Sequence, residues 1–243
     1  MFYSFKPFFS IGLLCLANSS FATVIQNFES GNINAGSSAL TYMGNLGPSA
    51  GCATNSALYG EGTYAVTSQA NGCHNLWAPT TAQSGSYFMA ANGSSANAQS
   101  NIYAQTVAGI VAGQNYNFSG YFTGLFTSGA ANLILKVYNG TSTSGTELGS
   151  FAFTTNLATP LNSSSAMHPA AWVKQSIDFT AQSGSITVQV LNSNANTHGN
   201  DFGLDTLDVT QTSTLSTTST PEPATFLIAG FALLGLSYRR KTA

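Results

Sequence analysis

The middle of the chain alternates apolar and polar residues with a period of two, the pattern of strands that bury one face. The alternation is clearest in four segments: Tyr116–Phe126, Leu133–Tyr138, Trp172–Phe179 and Ile186–Val190. Turn residues such as Asn139-Gly140 separate these segments, and none of the middle region shows a convincing helical period. We therefore predict an all-β chain that folds as a jelly-roll-like antiparallel β-sandwich.

The alternation changes phase near the end of this region, in the run Asn200–Val209. Leu204 and Leu207 are both apolar but fall on opposite parities. A β-bulge at Asp205-Thr206 restores the pattern, because it adds one residue to the strand. We expect the bulge to direct the acidic side chain to the sheet edge.

An apolar run at the N-terminus predicts export. Phe8–Ala17 follows Lys6 and precedes the small residues Ser20 and Ala22, as in a secretory signal peptide cleaved after Ala22. A sequence rich in Ser and Thr follows the alternating region and predicts a flexible linker. We therefore predict a signal peptide at 1–22, a sandwich domain at 23–210 and a linker at 211–220, followed by a C-terminal segment.

A second apolar run, Ala224–Tyr238, has no charged residue. As a helix it would span about 22 Å, a marginal transmembrane length. It lies between Pro221-Glu222-Pro223 and the basic Arg239-Arg240-Lys241. The basic residues predict that the C-terminus stays on the cytoplasmic side of the membrane. By itself this pattern predicts a C-terminal membrane anchor. The order of its three parts, over residues 221–243, resembles the PEP-CTERM sorting signal of exosortase-bearing Gram-negative bacteria.

The PEP-CTERM resemblance implies an export route. Exosortase is the implied partner and processes the chain near Pro221-Glu222-Pro223, after export across the inner membrane. The helix at about 224–238 is then a transient anchor, and the product reaches the cell surface or the extracellular matrix. Such signals accompany exopolysaccharide systems.

Charged residues are few, with six Lys and Arg against eight Asp and Glu. Three of the six cations lie in residues 239–241. Between residues 23 and 220 there are two lysines and seven acids, which gives 2 − 7 = −5. Two cations cannot neutralise a phosphate track, so this composition excludes nucleic-acid binding. Neutral sugars and cation-bridged polymers are compatible with an acidic surface.

The chain has three cysteines, and Cys15 leaves with the signal peptide. Cys52 and Cys73 remain as an even pair in an oxidising compartment, which predicts a disulfide. Two buried thiols, or a metal pair completed by His74, are the alternatives.

No catalytic motif is present in the sequence. His74, His168 and His198 belong to no His-Glu-x-x-His pattern, and there is no Gly-x-Ser-x-Gly elbow or phosphate-binding loop. Asp201 and Asp205 would lie about 13 Å apart on an extended strand. Glycosidase carboxylates lie about 5–9.5 Å apart. We therefore predict that the protein is not an enzyme and keep a divergent glycan hydrolase as a third hypothesis.

Several segments resemble the jelly rolls of galactose-binding-like domains and carbohydrate-binding modules, over roughly residues 24–210. Asn200–Leu207 resembles their last strand, with Thr206 in place of a second Asp, and Asn27–Gly31 resembles their opening element. The resemblance implies that the first and last strands meet at a structural calcium ion. Glu29 and Asp205 are then its candidate carboxylate ligands, since Ca²⁺ prefers oxygen.

The same resemblance implies a glycan-binding role. Sugar sites on such sandwiches combine exposed aromatic rings with amides, and the candidate rings are Trp77, Tyr87, Tyr121, Tyr138 and Trp172. Tyr121 and Tyr138 lie opposite the predicted apolar faces of their strands. We expect an exported, non-catalytic protein that binds exopolysaccharide or another glycan. The alternative is a structural biofilm-matrix protein or adhesin without a defined sugar site.

Overall fold

The computed structural model describes residues 22–33, 36–45, 51–94, 99–160, 167–194, 196 and 198–212. Contacts divide the chain into one compact unit that ends at Thr212 and a second unit, Ser213–Ala243. The described residues all belong to the first unit, so the predicted C-terminal helix and sorting motif, and almost all of the predicted signal peptide, lie outside them. Within these ranges no helix is long and apolar enough to cross a membrane.

The described part of the chain is built from strands, with a single 3₁₀ turn at Ala70–Gly72. The strands are β1 (Ala22–Gln26), β2 (Thr41–Tyr42), β3 (Gly44–Asn45), β4 (Gly51–Cys52), β5 (Thr63–Thr67), β6 (Phe88–Asn92), β7 (Ser100–Ala108), β8 (Asn115–Gly124), β9 (Asn132–Asn139), β10 (Glu147–Thr154), β11 (Thr159–Pro160), β12 (Met167–His168), β13 (Val173–Thr180), β14 (Ser185–Asn192) and β15 (Asp201–Gln211). The last strand therefore extends one residue into the predicted linker.

Two sheets form the predicted sandwich. The larger has seven strands in the order β13-β8-β15-β6-β5-β2, and β1 lies beside the second half of β15. The smaller has the order β10-β9-β14-β7. β3 with β4 and β11 with β12 form separate short pairs. The pairing is antiparallel except between β2 and β5, which confirms the predicted fold class.

The main core lies between the sheets and follows the alternation of the sequence. On β9, Leu133, Leu135 and Val137 are fully buried in it, and Ile186, Val188 and Val190 of β14 lie beside them. The intervening residues of both strands face outward from the smaller sheet. This confirms the predicted strands and the faces assigned to them.

A second, smaller core lies on the outer face of the larger sheet. On β6, Phe88 and Ala90 point into it, whereas Met89 and Ala91 point into the main core. The segment between β4 and β6 folds back over this face and contributes Leu58, Ala70 and Trp77. The predicted Cys52–Cys73 disulfide is present and fixes this segment, with an S–S distance of 2.03 Å.

The predicted bulge in β15 is also present. The pairing of β15 with β8 shifts between Asp205 and Asp208, and Thr206 has φ 44°. The bulge keeps Phe202 and Leu204 before it, and Leu207 after it, in the main core. The expectation that Asp205 reaches a sheet edge is wrong, because β15 is an interior strand and Asp205 is fully buried.

Candidate functional site

A polar groove lies on the outer face of the smaller sheet, between β7 and the turn that follows β9. Its volume is about 470 Å³, and all but one of its lining residues carry a hydroxyl or amide side chain: Ser37, Ala104, Gln105, Thr106, Thr141, Ser142, Thr143 and Thr187. Thr106 and Thr187 are directly opposite each other on β7 and β14. Both face outward because their neighbours Val107 and Ile186 are buried in the main core.

The hydroxyl groups at the base of the groove are fixed by hydrogen bonds. The hydroxyls of Thr106 and Thr187 lie 3.2 Å apart. Thr106 also donates to the carbonyl of Thr141 at 3.3 Å, and Thr187 to the carbonyl of Gly140 at 3.0 Å. A hydroxyl has two acceptor lone pairs, so each can still accept from a ligand.

A chain of side-chain hydrogen bonds crosses the sheet and ends beside the groove. The Tyr138 hydroxyl donates to Gln189 Oε1 at 3.3 Å, and Gln189 Nε2 donates to Asn101 Oδ1 at 3.0 Å. Asn101 Nδ2 then donates to the carbonyl of Ser37 at 3.4 Å. These bonds hold three polar side chains in single orientations, and that lowers the entropic cost of binding a polar ligand.

On the outer face of the smaller sheet, the positive charge of Lys136 is paired with the negative charge of Glu147. Lys136 lies beside Tyr138 on the outer face of β9, 6.0 Å from the ring centroid, and forms a 2.8 Å ion pair with Glu147. The hydrogen bond to Glu147 raises the pKa of Lys136, so this lysine stays protonated near neutral pH. No charged residue lines the groove, which suits a neutral, hydroxyl-bearing ligand better than an ion.

The three predicted ligand-binding aromatics lie in three different places. Tyr138 lies opposite Thr187 at the side of the groove, but it is only 9% exposed and so offers little surface to a sugar ring. Tyr121 faces outward from the larger sheet, where Lys174 Nζ lies 5.8 Å from its ring centroid. The expectation that Trp77 is exposed is wrong: it is 3% exposed in the second core, because the disulfide-bonded segment folds over the sheet.

The remaining aromatic candidates also serve packing. Trp172 is half-buried against Phe88 with edge-to-face rings, and its Nε1 donates to the carbonyl of Thr81 at 3.0 Å. Tyr87 is half-buried against the main core.

Glu29 and Asp205 hold one loop, residues 83–87, through its backbone. Asp205 Oδ2 accepts from the N–H groups of Gln83 and Ser84 at 2.8 and 3.1 Å. Glu29 Oε1 accepts from those of Ser86 and Tyr87 at 2.9 and 3.0 Å. We call this arrangement the loop clamp. It brings the two predicted calcium ligands to one loop, as expected from the pairing of β1 with β15.

Hydrogen-bond donors already contact both carboxylates of the loop clamp. Backbone N–H groups present their positive ends to both carboxylates, and Thr206 donates twice more to Asp205 Oδ1. A cation needs those lone pairs. Burial raises the pKa of Asp205 to about 6, and the N–H bonds oppose that rise. A calcium ion at Glu29 and Asp205 stays a prediction.

The histidines do not share a site. His74 stacks on Trp77 with ring centroids 4.8 Å apart, whereas His168 and His198 are exposed elsewhere. Among the described residues, no three His, Cys, Asp or Glu side chains are grouped to hold a metal ion. Asp201 and Asp205 lie on the same face of β15, which their spacing along the strand predicts.

Sequence reasoning missed the groove itself. Most of its residues are Ser and Thr, located before β2, on outward positions of β7 and β14 and in the turn 141–143. Alternation predicts that such residues face solvent, but it does not predict which turn folds over them.

The C-terminal segment matches a known family. Residues 219–241 match the model of the PEP-CTERM protein-sorting motif. The chain carries a PEP-CTERM sorting motif. This confirms the resemblance drawn from Pro221-Glu222-Pro223 and the basic end, and PEP-CTERM proteins are exported and processed by exosortase. The matched residues lie outside the described ranges. No curated protein matches the chain.

The solved structures that match the chain include carbohydrate-binding modules, and also a Stig cyclase and a bacteriophage tailspike domain. The CBM22-1-CBM22-2 tandem domain of Paenibacillus barcinonensis Xyn10C is 14% identical, with a TM-score of 0.47, and the match covers 81% of this chain and 48% of that one. The CBM22-1 xylan-binding domain of the same protein is 14% identical, with a TM-score of 0.43 and coverages of 79% and 97%. TmCBM61 in complex with β-1,4-galactotriose is 16% identical, with a TM-score of 0.44 and coverages of 78% and 99%. At these TM-scores and identities the likeness carries no argument about this chain or its ligand.

Proposed function

We propose that this PEP-CTERM protein binds a neutral glycan, an exopolysaccharide of the cell that exports it, in the groove on the outer face of the smaller sheet. The supporting observation is the fixed set of hydroxyl and amide groups around Thr106 and Thr187. Sugars present both donors and acceptors, so they pair with such a surface without a charged partner. A volume of about 470 Å³ falls in the range of small-ligand sites.

The protein acts by binding rather than by catalysis in this proposal. The groove contains no carboxylate, and a glycoside hydrolase needs a pair of them across the bond that it cleaves. Export across the inner membrane of a Gram-negative cell, followed by exosortase processing, would deliver the sandwich to the surface or matrix where such polymers lie.

The proposal is tested with residues 23–212, which comprise the compact unit without the signal peptide. The polysaccharide is purified from the producing cells and immobilised, and binding is measured as a saturation curve. The double variant Thr106→Val, Thr187→Val keeps side-chain shape and removes both hydroxyls. A hydrogen bond contributes about 1 kcal/mol, so we expect binding to weaken at least tenfold.

Thr180→Val is the matched control, because Thr180 lies on β13 of the other sheet and its hydroxyl bonds Asn115 at 2.7 Å. It should bind as the unchanged protein does. Tyr121→Ala tests the aromatic on the larger sheet. Equal binding by the double variant, with loss in Tyr121→Ala, would contradict the groove and place the site on the larger sheet.

A structural matrix role is the second candidate. β10 is an edge strand of the smaller sheet, its residues are largely exposed, and Phe151 is 40% exposed. An exposed edge with apolar side chains can pair with another chain. Folded protein that binds no polysaccharide in the experiment above, yet sediments as oligomers, would favour this role.

A further inference from the structure

A group of buried polar atoms lies on the outer face of the larger sheet, away from the groove. In the described part of the chain, four buried side-chain atoms lack a hydrogen-bond partner: Glu61 Oε2, Trp77 Nε1, Thr80 Oγ1 and Asn92 Oδ1. A buried polar atom without a partner costs free energy, so native proteins rarely leave several together. Two of these atoms, Glu61 Oε2 and Asn92 Oδ1, are acceptors close to a second acidic side chain, that of Asp201.

Register places Asn92 and Asp201 directly opposite each other on β6 and β15. Opposite residues of antiparallel strands point to the same face, with Cβ atoms about 5 Å apart. Asn92 is 4% exposed, and its Nδ2 donates to the carbonyl of Leu58 at 2.9 Å. Asn92 Oδ1 has no hydrogen-bond donor. The neighbouring Asp201 carboxylate cannot donate to it, because an ionised carboxylate has no proton.

Glu61 completes the group. The backbone turns around Asn92 at this point, because the N–H of Gly62 donates to the carbonyl of Asn92 at 3.1 Å. Glu61 precedes Gly62, its Oε2 is buried, and its charge is close enough to raise the pKa of Asp201. Burial is the larger cause of that rise, to about 7, and the indole of Trp77 partly opposes it.

Nothing cationic compensates these acids among the described residues. Lys136 pairs with Glu147 on the smaller sheet, and Lys174 lies over Tyr121. An unpaired buried negative charge is strongly destabilising. The indole N–H of Trp77 lies near Asp201 without reaching hydrogen-bond geometry, so it neutralises neither carboxylate.

We propose that Asp201, Glu61 and the Oδ1 of Asn92 bind a divalent cation, calcium in an extracellular setting. All three contribute hard oxygen ligands, and Ca²⁺ accepts carboxylates together with amide carbonyls. Asp201 is 9% exposed and Glu61 is half-buried, so water can reach the ion and complete its coordination. The site is separate from the loop clamp and independent of the glycan proposal.

The cation would join three segments that already meet at Asn92: the turn at 58–62, the end of β6 and the start of β15. Only two acidic side chains contribute, so we expect affinity in the range of extracellular calcium modules, a Kd of about 0.1–1 mM.

Calcium binding to residues 23–212 is measured by calorimetry after EDTA treatment and dialysis. Saturation near one ion per chain is expected, with a rise of roughly 3–6 °C in Tm at ten times Kd. Glu61→Gln and Asp201→Asn should each weaken binding at least tenfold. Glu61 lies in a half-buried turn, so its variant should fold even if Asp201→Asn does not.

Asp208→Asn is the matched control, since it removes one acid from the same strand outside the site. It should bind calcium as the unchanged protein does. Terbium provides a second readout, because excitation of Trp77 would sensitise emission from an ion bound beside it. Trp77→Phe should lose most of that emission, and Trp172→Phe should retain it.

Three results would overturn this proposal. The first is the absence of calcium binding at 10 mM. This result would be seen if the acidic group were neutralised by a proton rather than by a cation. The second is binding that Glu61→Gln and Asp201→Asn leave unchanged. The third is binding lost in Glu29→Gln but kept in Glu61→Gln, which would place the ion at the loop clamp.

Discussion

At the scale of single residues, the carboxylates of Asp205 and Glu29 accept from backbone N–H groups rather than from basic side chains. Asp205 accepts from the N–H groups of Gln83, Ser84 and Thr206, and it is fully buried. Charge-assisted bonds of this kind are shorter and stronger than neutral ones. The arrangement explains how a chain with two lysines in its folded part can bury an ionisable acid.

Replacing Asp205 should therefore destabilise the fold strongly. Asp205→Ala leaves three N–H groups without an acceptor, and we expect a loss of about 3 kcal/mol in the free energy of unfolding. Asp208→Ala is the control, because Asp208 bonds a single hydroxyl, that of Thr210, at 3.0 Å. Its loss should stay below about 1 kcal/mol. Urea unfolding measures both, and equal losses would contradict the loop clamp.

His74 should titrate far below the usual range. Burial lowers its pKa to about 4, and its Nδ1 accepts from the N–H of Leu76 at 3.3 Å, which requires a neutral ring. The unfolded imidazole binds its proton near pH 6.5, so the unfolded state takes up protons first as pH falls. The contribution of neutral His74 to the free energy of unfolding is therefore fully present above pH 6.5, and it is lost as the pH falls from 6.5 toward 4. An NMR titration tests it: a ring resonance with a midpoint near 6.5 would contradict the prediction.

At the scale of elements, β15 organises the molecule. It lies between β8 on one side and β6 and β1 on the other, and its bulge keeps both halves facing the main core. The phase change between Leu204 and Leu207 predicts this bulge from sequence. It does not predict the loop clamp, because the four N–H groups come from residues more than fifty positions away from either acid.

Substitution of Gly85 tests whether the Glu29 carboxylate holds the loop at residues 83–87. Its φ is 71°, and an added Cβ would lie 3.0 Å or less from the Glu29 carboxylate, so Gly85→Ala must displace the acid that holds Ser86 and Tyr87. Gly113→Ala is the matched control, with φ 81° and no atom within 4 Å of its Cβ. We expect about 1 kcal/mol of destabilisation for Gly113→Ala and about 2–3 kcal/mol for Gly85→Ala. Thermal unfolding compares them, and equal costs would contradict the role of Glu29.

At the scale of the whole molecule, the sequence predicts those features that depend on residues close together in the chain or on composition. The four alternating segments predict four principal strands and their buried faces, and an even pair of exported cysteines predicts the disulfide. Burial of Trp77 could not be predicted in this way, since it depends on how the segment between β4 and β6 folds over the larger sheet. The groove depends in the same way on a turn that folds beside a flat row of Thr side chains.

The sorting motif and the sandwich together support the proposed function. The motif marks a protein that leaves the cell and is processed by exosortase, and the sandwich supplies a neutral polar surface. Its two lysines are engaged with Glu147 and Tyr121, which leaves little attraction for anionic polymers. In the proposed function, hydroxyl and amide groups therefore carry the recognition.

The central claim is tested most directly by mapping the ligand onto the fold. Backbone amide NMR spectra of residues 23–212 are recorded while an oligosaccharide prepared from the native polysaccharide is added. We predict saturable shifts centred on Ala104–Thr106, Thr141–Thr143 and Thr187, with Tyr121 and its neighbours unchanged. Saturable shifts confined to the larger sheet, or none at millimolar oligosaccharide with the spectrum of a folded protein, would contradict glycan binding in this groove.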